Sequence, residues 1–219
     1  MDAKQFENER WNSKDQGLMF RHKTSMNFIE KGSVVDLGCG DGAFLDLLKK
    51  TGIIAEGADI SERAVEKSIS KGHKAVLLKQ EDGGKLPFRD DQFDNAVLLD
   101  VLEHLHQPEK FLEEAARISK SVLIISTPNF NSLPARIQVL FGKEPENNKP
   151  NKGHVYWFNY DILKNLLIQH GLEIVIFRTN TFWEEKFLIG YVMRFLNKLF
   201  PKLLSLSFVL KARKLTNEN

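Results

Sequence analysis

The sequence predicts a doubly wound α/β fold, and two features carry that reading. Residues 33 to 45, Ser33-Val34-Val35-Asp36-Leu37-Gly38-Cys39-Gly40-Asp41-Gly42-Ala43-Phe44-Leu45, pass from a short apolar strand through a glycine-rich turn into a helix. Short apolar runs then alternate with amphipathic stretches as far as residue 130, the pattern of a sheet covered by helices on both faces. The chain of 219 residues can bury one sizeable core, and no repeat or second domain is evident, so one domain over 1–219 is expected.

Residues 1–31 are polar with scattered aromatics and read as one or two lead-in helices, with Phe20, Lys23-Thr24 and Phe28 on successive turns. After the first strand, Gly38, Gly40 and Gly42 offer positive φ and bare backbone to a ligand. The helix starting near Gly42 directs free N–H groups and its positive end at the same space, which suits a carboxylate or a phosphate. Phe44, Leu45, Leu47 and Leu48 form its apolar face, and Gly52 ends it. The second strand, residues 54–59, ends in Asp59, about twenty residues past the turn, where a carboxylate can accept both ribose hydroxyls. Ser61 caps a helix over 62–71, and residues 74–78 form a third strand of buried type. Residues 95–99 complete the fourth strand, and Asp100-Val101-Leu102-Glu103-His104-Leu105 follows at the sheet edge where such folds bind ligands. Pro108 opens a helix with Phe111, Leu112, Ala115, Ala116 and Ile118 as its core stripe, and residues 121–126 are a fifth strand.

Residues 128–158 read as an insertion with a polar, mobile centre that caps the substrate site. Its end, Gly153-His154-Val155-Tyr156-Trp157-Phe158, gathers a proton carrier and three aromatics before Asn159 caps a helix over 160–169. Strands over 172–178 and 208–214 follow, separated by a second insertion, 182–206. There Phe187-Leu188, Tyr191-Val192, Phe195-Leu196 and Leu199-Phe200 recur every four residues as one helical stripe, with Lys186, Arg194, Lys198 and Lys202 on the other side. Such a helix packs on the sheet or a second subunit, or lies in a membrane interface with its cations toward anionic head groups.

Thirty-one basic and 29 acidic side chains leave a formal charge of +2, so no global nucleic-acid signal exists. The polar N-terminus and the lack of an apolar run near the roughly 20 residues of a spanning helix predict a cytoplasmic protein, at most peripheral to a membrane. A lone Cys39 forms no internal disulfide and completes no zinc site by itself, so no metal is expected and the thiol reads as a small filler between glycines.

The Gly-x-Gly-x-Gly-Ala turn alone fits either a nicotinamide or an adenosyl cofactor. Asp36, just before it, favours a ligand with a cationic amino group. From Asp82 through Leu86-Pro87-Phe88 to Phe93-Asp94, the chain resembles class I methyltransferases that use S-adenosylmethionine, of the type 11 group. Ser126-x-Pro128-Asn129-Phe130, with Arg136, Gln138, Leu140 and Gly142, is similar to the MetW-like branch. The resemblance implies a Rossmann-like seven-stranded sheet with its last strand antiparallel, and S-adenosylmethionine as cofactor. It implies binding by Asp36, Gly38, Cys39, Gly40 and Gly42, by Asp59 with Ile60 at the ribose, by Asp82 and Gly83 at adenine, and by Leu99, Asp100 and Val101 as lining. His104 would face the methyl or the substrate, and His154 would act at the acceptor; either is the base if the nucleophile must lose a proton. The lead-in segment would close over the cofactor, making Arg10, Trp11, Arg21 and His22 candidate substrate contacts. The acceptor would be a small or lipid-like molecule, with no nucleic acid partner, and the protein a monomer or homodimer. A non-catalytic adenosyl-binding or scaffold protein would keep the same fold. A nicotinamide oxidoreductase would leave Asp36 and the 82–94 run unexplained.

Overall fold

The computed structural model describes residues 5, 8–9, 19–79, 84–183 and 186–215. Its strands are β1 (Val34–Leu37), β2 (Ala55–Asp59), β3 (Ala75–Leu77), β4 (Phe93–Leu99), β5 (Ser119–Pro128), β6 (Leu172–Thr181) and β7 (Ser205–Lys214). Its helices are α1 (Phe20–Met26), α2 (Ala43–Lys50), α3 (Glu62–Ser70), α4 (Pro108–Ile118), α5 (Leu133–Leu140), α6 (Tyr160–Gln169), α7 (Phe187–Leu199) and α8 (Pro201–Leu204). The strands form a seven-stranded sheet in the order β3-β2-β1-β4-β5-β7-β6. β1 to β5 pair in parallel, and β7 runs antiparallel to both of its neighbours. The strand order reverses between β1 and β4, which opens a crevice outside their carboxyl ends.

The apolar runs of the central strands divide between two cores because successive side chains point to opposite faces. Val35, Leu37, Ala96, Leu98, Leu123 and Ile125 face α4 and α6 through Phe111, Leu112, Leu163 and Leu167. Val34, Val97, Leu99, Val122 and Ile124 meet Phe28 after α1 and Phe44, Leu45 and Leu48 of α2. The caps follow local chemistry, as the Ser61 hydroxyl accepts from Ala64 N–H at 3.2 Å and the Asn159 side chain from Ile162 N–H at 2.9 Å.

Four expectations change. β3 is half-buried, because it is an edge strand with one neighbour. β5 continues to Pro128, since β7 starts at Ser205 and offers Thr127 and Pro128 partners. The 128–158 insertion is folded: it holds α5, then 3-10 turns Glu146–Asn148 and Pro150–Lys152, where Lys149 pairs with Glu146 at 2.5 Å. α5 shows no usable stripe, because Ile137, Val139 and Leu140 are exposed and its buried side chain is Ala135.

The fourth correction concerns 182–206. The apolar stripe does not pack on the sheet: Phe187, Leu188, Tyr191, Val192, Phe195 and Leu199 are exposed, Phe187 at 91%. α7 is instead seated by Gly190, Met193 and Asn197, with the Asn197 amide donating to Thr179 Oγ1 at 2.7 Å. At about 100° per residue, Leu196 turns out of the exposed stripe, Lys198 lies within it and Arg194 at its border, while Phe200, just past the helix, is also exposed. The side opposite the stripe is therefore the one that faces the protein, not a basic surface. Lys202 is engaged by Asp161 at 2.6 Å and lies over the Tyr160 ring. Among the described residues, no helix is long and apolar enough to cross a membrane.

Candidate active site

The glycine turn closes because three strand ends meet on it. The N–H groups of Gly38 and Cys39 both donate to Ala58 O of β2, at 2.7 and 3.1 Å. Gly38 has φ 80°, and a Cβ there would sit 2.5 Å from Val101 Cγ2 beyond the end of β4. Asp59, 6% exposed, accepts Gly40 N–H on Oδ2 and Ser61 N–H on Oδ1, both at 2.8 Å. Gly42, with φ 85°, is the N-cap of α2, whose free end opens beside this turn. Gly38, Gly40, Asp59 and Val101 are thus brought together, with Ile60 half-buried next to Asp59. Asp82 and Gly83 lie outside the described residues, as do Arg10 and Trp11.

Asp36 lies inside the same end of β1, 2% exposed. Burial, and then the negative charge of Asp59, pushes its carboxyl up to about 7, with Arg21 opposing. Two buried acids that repel each other suit a cationic ligand, which would favour the ionised form of both. The raised value also makes a prediction for the ligand-free chain. Folded Asp36 holds its proton above the ordinary 3.8, so its contribution to stability is full below that pH and is lost as pH rises through about 7. Urea midpoints measured across this interval are expected to fall in the parent protein and to flatten in Asp36→Asn; equal slopes in both would contradict the assignment. Cys39 is packed in the core beside Gly57, and burial, then Asp59 and Asp36, pushes its thiol well above the usual range. Its side chain is an inert filler.

At the end of β4, Leu99 belongs to the core and Asp100 turns into the left-handed region at φ 56°. Ser126 Oγ donates to Asp100 Oδ1 at 2.5 Å, and Arg21 of α1 pairs with Oδ2 at 3.0 Å. A non-glycine residue held in this strained conformation at a strand end is typical of sites where geometry serves a ligand. The neighbouring His22 has another role. It is buried against the Phe44 ring, its Nδ1 accepts Met19 N–H at 3.0 Å, and burial, then Arg21, pushes it down to about 4. Arg21 therefore reaches the edge of the site, whereas His22 is neutral packing and not a substrate contact.

His104 and His154, fifty residues apart in sequence, meet above β4. His104 ends the 3-10 turn Leu102–His104, and its N–H donates to Val101 O at 3.0 Å, next to the glycine turn. The insertion returns here because Val155 and Tyr156 N–H both donate to Glu103 O, at 2.9 and 3.0 Å. His104 Nδ1 meets Gly153 O at 3.0 Å, His154 Nδ1 meets Asn147 O at 2.8 Å, and the ring centroids are 4.9 Å apart. A carbonyl only accepts, so both Nδ1 atoms carry a proton. Of the three aromatics, Phe158 is core, Tyr156 is exposed but stacked on it, and Trp157 is exposed and stacked on Phe130. Sequence reasoning passed over the buried Glu103, whose only signal was its place beside His104, and it named Arg21 and Asp100 separately without the link that joins them to Ser126.

This sheet order, with its glycine turn after β1, is that of the class I methyltransferase fold. The chain belongs to the MetW family: the family model described as methionine biosynthesis protein MetW matches residues 21–188. A probable S-adenosylmethionine-dependent methyltransferase of Mycobacterium tuberculosis is 31% identical over 141 residues, 63% of this chain and 47% of that one. The chain thus spans about half the length of the curated relatives it matches. An S-adenosylmethionine-dependent methyltransferase of Thermotoga maritima superposes with TM-score 0.66 at 21% identity, over 89% of this chain and 87% of that one. Magnesium protoporphyrin IX methyltransferase of Synechocystis, solved with bound S-adenosylhomocysteine, gives TM-score 0.64 at 18% identity over 97% and 98%.

Proposed function

We propose that this chain binds S-adenosylmethionine at the carboxyl ends of β1, β2 and β4 and transfers its methyl group to an apolar small-molecule or lipid-like acceptor. The observation that carries the proposal is the convergence of the Gly38–Gly42 turn with the buried acids Asp36 and Asp59. When bound, the cofactor supplies an electrophilic methyl on a cationic sulfur. The backbone of Gly38, Cys39, Gly40 and Gly42 and the free end of α2 receive its carboxylate, and Asp36 and Asp100 supply the negative side for its cations. Asp59, whose two oxygens accept Gly40 and Ser61 N–H, is placed by the turn to take the ribose hydroxyls. Leu99, Ile60 and Val101 wall the cleft, Asp82 and Gly83 take adenine, and His104 and His154 face the acceptor. Incubation with methyl-tritiated S-adenosylmethionine and total cell extract is expected to move label into an organic-soluble product. Binding of S-adenosylhomocysteine with no label in any fraction would instead favour the non-catalytic adenosyl-binding protein.

The apolar acceptor is supported by α7, which leaves the same edge of the sheet after β6 and presents its apolar side outward. Residues 186–202 carry four basic side chains and no acid, and Lys202 among them is paired with Asp161. An isologous dimer through this helix would bring like charges together, whereas an anionic bilayer is complementary to them. At 13 residues α7 is shorter than the roughly 20 a span requires, so it would lie in the plane of the interface. The protein is expected to float with vesicles containing phosphatidylserine more than with phosphatidylcholine alone, and Phe195→Glu should abolish flotation. Equal recovery in the soluble fraction with both vesicles, beside a dimer that Phe195→Glu dissolves, would assign the face to a second copy.

A further inference from the structure

Glu103, His104 and His154 each offer a ligand atom, and these atoms lie within 4.8 Å of one another. From this we infer a divalent transition-metal site at the acceptor side of the cleft, held by one carboxylate and two imidazoles. Three observations support it. Glu103 is 2% exposed and converges with both imidazoles, so an ion held there would sit beside a buried carboxylate. Both histidines give Nδ1–H to a backbone carbonyl, of Gly153 and Asn147, so Nε2 would be the nitrogen that binds an ion. That is the outer-shell arrangement of metal-ligating histidines. The three groups are also locked from separate directions, because the Glu103 carbonyl holds Val155 and Tyr156 while His104 holds Gly153.

Two imidazoles and a carboxylate suit zinc, iron or cobalt better than magnesium or calcium, which prefer all-oxygen shells. Donors on one such ion stand roughly 3 to 3.5 Å apart at bonds of about 2.1 Å. Drawing the present side chains inward by about one ångström would reach that spacing. Three protein ligands leave open coordination positions, as in catalytic sites, and these would take an oxygen of the acceptor. The acceptor class is then one bearing a hydroxyl or carboxylate beside its apolar part. As ligands, His104 and His154 would not serve as bases; the ion would lower the pKa of a bound hydroxyl, whose proton would pass to solvent, while a carboxylate acceptor has no proton to lose. This inference rests on the methyltransferase reading for its acceptor, but not for the metal.

The test is calorimetry of the metal-stripped full chain with Zn2+ and Co2+, repeated with S-adenosylhomocysteine alone. About one ion per chain is expected. Glu103→Gln and His154→Ala should each weaken binding by more than the roughly 10 to 100-fold that loss of an outer-shell partner costs. Thermal melting with and without the ion gives a second readout: a Co2+-dependent rise in Tm should be present in the parent and absent in both variants. Failure of the parent to bind either ion, or binding that survives in a folded His154→Ala and Glu103→Gln pair, would overturn the site. S-adenosylhomocysteine binding without metal binding defeats this inference alone, while metal binding without S-adenosylhomocysteine binding defeats the methyltransferase reading alone.

Discussion

Asp59→Ala is expected to lower affinity for S-adenosylhomocysteine by at least about 100-fold, near 2.7 kcal/mol. The size follows from two losses. The variant removes the proposed acceptor of the ribose hydroxyls, and it also releases Gly40 N–H and Ser61 N–H, each held by the carboxylate at 2.8 Å. Hydrogen bonds to an ionised acceptor are worth about 1.5 to 3 kcal/mol, so the turn itself should loosen and the melting temperature should fall. Asp59→Asn separates the two effects. It fills the same volume and keeps one acceptor oxygen, so it should recover much of the stability while still binding poorly. Full affinity in a folded Asp59→Ala protein would remove Asp59 from the cofactor site.

Gly38→Ala is expected to be nearly as damaging, and for a reason that a second substitution can isolate. The added Cβ would lie 2.5 Å from Val101 Cγ2, a distance that forces one strand end away from the other. A left-handed backbone adds about 1 to 2 kcal/mol for any residue with a Cβ. Val101→Ala alone should cost only its wall contact with the cofactor, much less than Gly38→Ala, and the double variant Gly38→Ala, Val101→Ala should bind better than Gly38→Ala, leaving that wall contact and the backbone cost. If the double variant binds no better than Gly38→Ala, the contact between the β1 turn and the end of β4 does not control the cleft.

The parts of this molecule that were legible in the sequence are those written by neighbours in the chain. β1, the glycine turn and α2 are contiguous, and the caps at Ser61 and Asn159 act within three residues. The proximity of Asp59 to Gly40 was readable one step further out, because a β-α-β unit returns the chain at a known distance. What was not legible depends on tertiary placement. Nothing local tells that His154 meets His104, since the contact rests on backbone hydrogen bonds from Glu103 to residues 155 and 156. The stripe on α7 was readable as a stripe, but period alone does not say what covers it; Gly190, Met193 and Asn197, a weaker pattern, turned out to be the buried side. α5 escaped notice because its apolar residues are largely exposed and show no periodic face.

The central claim is that the carboxyl edge of β1, β2 and β4 is an adenosyl cofactor site. Isothermal calorimetry of the full chain with S-adenosylhomocysteine and, separately, with NAD tests it most directly. Saturable binding of S-adenosylhomocysteine in the micromolar range, on the order of −8 kcal/mol, with no heat from NAD, is the predicted result. Binding of NAD in preference, or no binding of either ligand by the folded protein, would contradict it.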